Sequence, residues 1–115
     1  LKRGDVVKAE LPRPRGQHSH EQYGYRRAVI IQEIGGIASP STVVVVPTTS
    51  NLEAANYGES FVVKCSASNG LDCDSTLLVN QIRALDTRRI RSVVGRLSNA
   101  DLKVLEDAVR KLLSL

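Results

Sequence analysis

The sequence predicts a β-rich α+β domain in which one C-terminal amphipathic helix covers the open face of the strands. Three observations carry that reading. Short runs rich in β-branched residues recur between Gly- and Pro-marked turns, as in Val6-Val7, Val29-Ile30-Ile31 and Thr42-Val43-Val44-Val45-Val46. Helical spacing is clearest in the last segment, where Leu102, Leu105, Val109 and Leu112 fall on one face. The chain has 115 residues, 42% of them hydrophobic, which suits a single domain over 1–115 with one modest core and argues against a disordered chain.

The elements follow in order. Val6–Leu11 reads as the first strand, after a Gly4-Asp5 turn. Pro12, Pro14 and Gly16 stop it and open a loop to about Tyr25 that carries Arg13, Arg15, His18 and His20. Loops of that length in small domains are functional or mobile. A second strand runs from about Arg27 to Ile34 and is central, because it is apolar on both faces near Val29-Ile30-Ile31. Thr42–Val46 is a buried third strand that Pro47 ends, since proline cannot donate to a ladder.

Residues 51–58 are small and polar and read as a flexible loop. Glu59–Lys64 and Thr76–Val79 are two further strands, joined through the Ser68-Asn69-Gly70 turn. Gln81–Asp86 alternates as a half-exposed strand does, and Arg88–Arg96 is a short strand or irregular edge. Ser98 followed three residues later by Asp101 marks a helix start, with Leu97 and Leu102 as its staple. Arg110 and Lys111 near the far end suit the helix dipole.

The net charge of +4 is unevenly spread. Residues 1–27 hold seven Lys/Arg against three acids, and 83–96 hold five arginines against Asp86; 28–82 hold one base against five acids. Two basic segments around an acidic middle suit a polyanion partner if folding joins them, and two solvated surfaces account for the same charges. No apolar run approaches the roughly 18 residues of a membrane span. No secretory signal pattern opens the chain, which begins at Leu1, so Cys65 and Cys73 read as reduced thiols in a cytosol rather than a hairpin disulfide. Two cysteines without clustered histidines do not make a zinc site.

Chemistry-bearing residues gather where loop meets strand, at Glu21-Gln22-Tyr23-Gly24-Tyr25-Arg26-Arg27, and after Pro47, at Thr48-Thr49-Ser50-Asn51. If the second and third strands pair antiparallel, Arg26 and Thr49 are neighbours at one rim. A guanidinium beside a hydroxyl can clamp a phosphate; a structural arginine and an ordinary strand-end threonine explain the same spacing. Tyr23, Tyr25 or Tyr57 could stack on a base, with strand alternation letting only one of the first two face a groove. Asn80, Gln81 and Arg83 could read base edges or line a dimer seam.

The ordered set Lys2-Arg3-Gly4-Asp5-Val6, Glu21-Gln22-x-Gly24-x-Arg26, Val46-Pro47-Thr48-Thr49 and Gln81-Ile82-Arg83-Ala84-Leu85-Asp86, with a closing helix near Leu97-Ser98, resembles the MazF/PemK family of toxin–antitoxin endoribonucleases over nearly the whole chain. The resemblance implies a small SH3-like antiparallel β-barrel with a C-terminal helix, working as a homodimer in the cytoplasm. It implies cleavage of single-stranded mRNA at short sequences without metal or other cofactor, and neutralisation by an antitoxin protein. It makes Arg26 catalytic, with Thr49 assisting. Glu21, Gln22, Tyr23, Tyr25, Arg27, Thr48, Ser50, Asn80 and Gln81 are the expected substrate contacts.

Two positions depart from the family. Arg27 stands where proline is usual, and either contacts a phosphate or faces solvent. Asn80 stands where many members carry an acid and cannot titrate, so a histidine, His20 or His18, is the candidate proton carrier. The alternatives are a CcdB-like toxin that binds a protein such as DNA gyrase, and a plain SH3-like RNA-binding module.

Overall fold

In the computed structural model, residues 1–13, 23–36 and 38–115 are described. Seven strands and one helix follow in the order β1 (Asp5–Leu11), β2 (Gly24–Ile30), β3 (Thr42–Thr49), β4 (Phe61–Val63), β5 (Ser75–Leu77), β6 (Arg83–Asp86), β7 (Ile90–Arg96) and α1 (Asn99–Leu113). Neighbouring strands run β4-β5-β3-β2-β1-β7, with β6 paired to β3, and every pair is antiparallel. Among the described residues no ladder joins β7 to β4 or β6. The sheet is therefore not closed into the barrel that the resemblance implies.

A loop bridges part of that gap. Arg96 N–H, on β7, donates to Ser68 O at 3.0 Å, in the segment between β4 and β5. Gly70 has φ +71°, and a Cβ there would meet the Val94 backbone; a Cβ on Gly95 would meet the backbone of Asn69. Two main chains thus pack without side chains between them, which only glycine allows. Asn69 is buried, 4% exposed, and satisfies its amide locally. Its Oδ1 accepts from Ser66 N–H and Leu71 N–H, both at 3.0 Å, and its Nδ2 donates to Lys64 O at 2.9 Å.

Both faces of the central strands are buried, because alternate residues of β1, β2 and β3 feed two clusters. Val6, Val29, Val46 and Leu77 pack with Leu105 of α1. Val7, Ala9, Ala28, Ile30, Val43, Val45 and Leu85 form the second cluster, with Ile90 against it. Ser98 Oγ accepts from Asp101 N–H at 3.1 Å, as the helix-start reading requires. Arg3 ties the chain start to the helix through Glu106 at 3.0 Å.

Several boundaries differ from the sequence reading. β2 begins at Gly24, earlier than expected, since Tyr25 and Arg26 pair with Glu10 and Ala9 of β1. β3 runs through Pro47 to Thr49, and on the edge away from β2 its partner changes there from β6, last paired at Val45, to β5. Its ladder with β2 ends at Ala28–Pro47, and Thr48 and Thr49 pair with Leu77 and Thr76. Proline lacks a donor but keeps the chain extended, so the strand continues on a new neighbour. Residues 52–56 form a 3-10 turn capped by Asn51 rather than a flexible loop. A second such turn, Val79–Gln81, delays β6 to Arg83, and β7 is a full strand on β1 with two register shifts.

Gly95→Ala should lower the unfolding free energy by about 1–3 kcal/mol through overpacking against Asn69. Gly36→Ala, with nothing near its added methyl, should be neutral or stabilising by up to about 1 kcal/mol. Urea melts of the two variants compare them directly.

Candidate functional site

The middle of β1, the first half of β2 and the end of β3 meet the loop before β5 around a cavity of about 210 Å³. Lys8, Arg26 and Arg27 bring cations to it, Thr48, Ser50 and Ser75 bring hydroxyls, and Asp72 and Cys73 complete the lining with Tyr25. Lys8 and Arg27 are direct cross-strand partners, so their side chains leave the sheet on one face. Arg26 is exposed, and its Nε donates to Tyr23 O at 3.2 Å. Among the described residues no carboxylate pairs with Arg26.

The antiparallel β2–β3 ladder runs toward an Arg26–Thr49 pair but stops two residues short of it, at Ala28–Pro47. The two line different hollows. Thr48 and Ser50 face the cavity of Arg26, while Thr49 and Asn51 line a larger hollow of about 700 Å³ with Tyr57, Asn80 and Gln81. Side chains of an extended chain alternate, so residues 48–51 serve the two hollows in turn.

The hydroxyls differ in what they have left to offer. Thr49 Oγ1 accepts from Asn51 N–H at 3.2 Å, which leaves its own proton to donate. Thr48 is buried and its hydroxyl donates to Arg27 O at 2.8 Å, so its donor is spent on holding β3 to β2. Ser50 is exposed in the first hollow. Asn80 Oδ1 accepts from Ser60 Oγ at 3.2 Å, leaving its amide N–H groups for the hollow.

Arg27 lines the same cavity and is engaged within the molecule. Its Nε donates to Gly70 O at 2.7 Å and its Nη1 lies 3.3 Å from Asp72 Oδ2. Of the tyrosines, Tyr25 lines the cavity, 65% exposed, and Tyr23 sits under the Arg13 guanidinium, 5.2 Å from ring centre to Cζ. His18, His20, Glu21 and Gln22 lie outside the described residues. Lys8, Asp72, Cys73 and Ser75 were not read as site residues. The signal for Lys8 is that it is the one cation of the first strand, set between Val7 and Ala9; the others are joined to the site only by the fold.

Folding does bring the two basic segments together on β1 and β7, but internal pairs use much of their charge. Glu10 Oε1 lies 3.7 Å from Arg89 and its Oε2 3.1 Å from Arg91. Arg88 pairs with Asp86 at 2.8 Å and Arg96 with Asp5 at 3.4 Å. Hydrogen bonds from Arg88 hold the Asp86 carboxyl down at about 2. Hydrogen bonds from Arg91 and then Tyr25 hold Glu10 below its ordinary value. The cysteines are both free and exposed, and the Asp74 carboxylate beside Cys65 raises its thiol pKa. Among the described residues no three of His, Cys, Asp and Glu are grouped to hold a metal, and no helix is long and apolar enough to cross a membrane.

Comparison with known proteins places this arrangement. The family described as PemK-like, MazF-like toxin of type II toxin–antitoxin systems matches residues 2–113. An endoribonuclease MazF of Staphylococcus saprophyticus is 34% identical over 109 residues, which is 95% of this chain and 88% of that protein. The crystal structure of MazF from Deinococcus radiodurans superposes with a TM-score of 0.78 at 19% identity, covering 100% of this chain and 97% of that one. A mycobacterial endoribonuclease in complex with its cognate antitoxin gives 0.76 at 16% identity, covering 100% and 96%. At such identities the two solved structures speak for the fold alone.

A carbon-detected NMR titration should place the Glu10 midpoint below that of an ordinary glutamate, and Arg91→Ala should move it up. Because the folded value is depressed, the stabilising link is present above the unfolded value and is lost as pH falls through the folded one.

Proposed function

This chain belongs to the PemK-like, MazF-like toxin family of type II toxin–antitoxin systems, and we infer that it is an endoribonuclease toxin that cuts single-stranded RNA at the rim of β2 and β3. The observation that carries the reading is the cavity lined by Lys8, Arg26 and Arg27, with a second hollow lined by Thr49, whose hydroxyl has a proton to give. The relative named as an endoribonuclease favours cleavage over the gyrase-binding and passive RNA-binding readings.

RNA supplies its own nucleophile. The 2′-oxygen attacks the adjacent phosphorus, the bond to the 5′-oxygen breaks, and a proton moves from the 2′-hydroxyl to the leaving oxygen's side. A 2′,3′-cyclic phosphate and a 5′-hydroxyl result. The Arg26 guanidinium stabilises charge growing on the phosphate oxygens. Thr49 donates to one of them and fixes the phosphate for in-line attack. Lys8 adds attraction for the backbone at the same cavity. His20 carries a proton, a role that Asn80 cannot fill. Glu21 and Gln22 contact the substrate from the motif.

Tyr25 stacks on a base beside the scissile linkage, in preference to Tyr23. Asn80 and Gln81 meet a base in the hollow that Thr49 lines, and Ser50 meets the phosphate side. The protein works as a homodimer in the cytoplasm, and an antitoxin with an acidic, extended segment competes with RNA for the rim. An antitoxin-bound structure among the fold neighbours supports such a partner.

Incubation with a long, unstructured RNA in chelator should yield discrete fragments ending in cyclic phosphate. Arg26→Ala should lower kcat by on the order of 100-fold or more, and Thr49→Ala by about 10-fold or more, the loss of one charge-assisted hydrogen bond. Intact RNA with the wild-type chain, or full activity in Arg26→Ala, would defeat the assignment. His20→Ala should abolish the near-neutral limb of the pH–rate profile; an unchanged profile removes His20 from the mechanism.

A further inference from the structure

Arg27 lines the Arg26 cavity, yet its guanidinium is already engaged inside the molecule. Nε is bonded to Gly70 O at 2.7 Å and Nη1 pairs with Asp72 Oδ2 at 3.3 Å. Its side chain is 25% exposed and that of Asp72 67%. To take a phosphate, Arg27 would have to release a carbonyl and a carboxylate, and that carboxylate would then face the incoming anion. Lys8 and Arg26 are the cations of this cavity that no acid among the described residues holds.

The segment that Arg27 grips is an arch whose first limb is fixed by other means. Asn69 binds it from within, through Lys64 O and the amides of Ser66 and Leu71. The arch crown is tied to β7 by Arg96 N–H and lies against Val94 and Gly95. The second limb, from Asp72 to Ser75, lines the cavity. The Ser75 end of this limb is fixed by pairing with Val63 and by Asp74 Oδ1, which accepts from Cys65 N–H at 2.9 Å. Among the described residues Arg27 is the side chain that ties the Gly70–Asp72 end across to β2, so its reach bears on the separation between that end and Arg26.

We propose that Arg27 is a positioning residue rather than a phosphate ligand: it holds the Asp72 end of the limb as the far wall of the cavity and so sizes the space for the nucleotide beside the scissile phosphate. The proposal rests on the reading of the Arg26 rim as the RNA site. A planar fork that bonds two acceptors at once is not replaced by the point charge of a lysine. Arg27→Lys should therefore keep the charge and lose the wall.

The test uses the full chain and the variants Arg27→Gln, Arg27→Lys, Asp72→Asn and Arg27→Gln/Asp72→Asn, each first melted to establish folding. Binding of a short mixed-sequence 2′-O-methyl RNA, which lacks the nucleophile, is followed against salt. Cleavage of a long unstructured RNA gives kcat and KM. Both arginine variants should lose about tenfold in kcat, on the scale of misplacing a group by a fraction of an ångström, with the salt slope of binding unchanged. Asp72→Asn should lose a similar factor, and the double variant no more than either single, because both substitutions cut one tie.

A salt slope reduced by about 0.7 in Arg27→Gln, the signature of one lost phosphate contact on a single strand, would overturn the proposal. So would wild-type kcat in Arg27→Lys, or losses that multiply in the double variant. Asp72→Asn changes an exposed side chain and carries the test if Arg27→Gln does not fold; unchanged cleavage in it overturns the proposal as well. Failure of the underlying reading has a different appearance, wild-type protein that leaves RNA intact, and the proposal falls with it.

Discussion

The missing N–H of Pro47 is the constraint on which the rest of the site depends. Pro47 O accepts from Leu78 N–H at 2.9 Å, so the edge of β3 that lacks an amide at 47 is the one away from β2, and there β3 passes from β6, last paired at Val45–Arg83, to β5, first paired at Thr48–Leu77, while still extended. The Thr48 hydroxyl ties the departing strand to Arg27 O. Beyond that point β2 and β3 are no longer zipped by main chain. The freed ends form the rim where Arg26, Thr48, Thr49 and Ser50 gather.

Much of the architecture was legible because local chemistry and burial agree. The β-branched runs became β1 to β3, and the serine before the last segment caps the helix as read. Closeness of Arg26 and Thr49 was read from antiparallel pairing alone; β2 and β3 do pair so, but the ladder stops at Ala28–Pro47 and the two residues line different hollows. What escaped the sequence was long-range. Tyr25 and Arg26 look like loop residues, and only a neighbour carrying Glu10 and Ala9 makes them strand. The two hollows follow from alternation past a proline that reads as a stop. Gly95 within a strand was a signal of close backbone approach. Its partner, Asn69-Gly70, is far away in sequence and reads as an ordinary turn.

Charge shows the same division. The basic segments were visible in the sequence, and their use was not. Glu10, Asp5 and Asp86 draw on four arginines of the second basic segment. Arg27 is consumed by the arch and Arg3 by the helix. Around the cavity, Lys8 and Arg26 are the cations that no acid among the described residues holds, a smaller and more local field than the composition suggests. These pairs are mostly near the surface, where each contributes little to stability, so their main effect is to decide which cations stay free for an anion.

The alternation along residues 48–51 sets a rule for how this protein can diverge. Swapping one residue for another there retunes a single hollow and leaves its neighbour alone. Losing or gaining one residue would send each side chain to the opposite wall, exchanging the groups on both sides at once. Spacing in that short stretch is thus frozen even where its chemistry is free to drift, so new specificities can arise by substitution but not by indels.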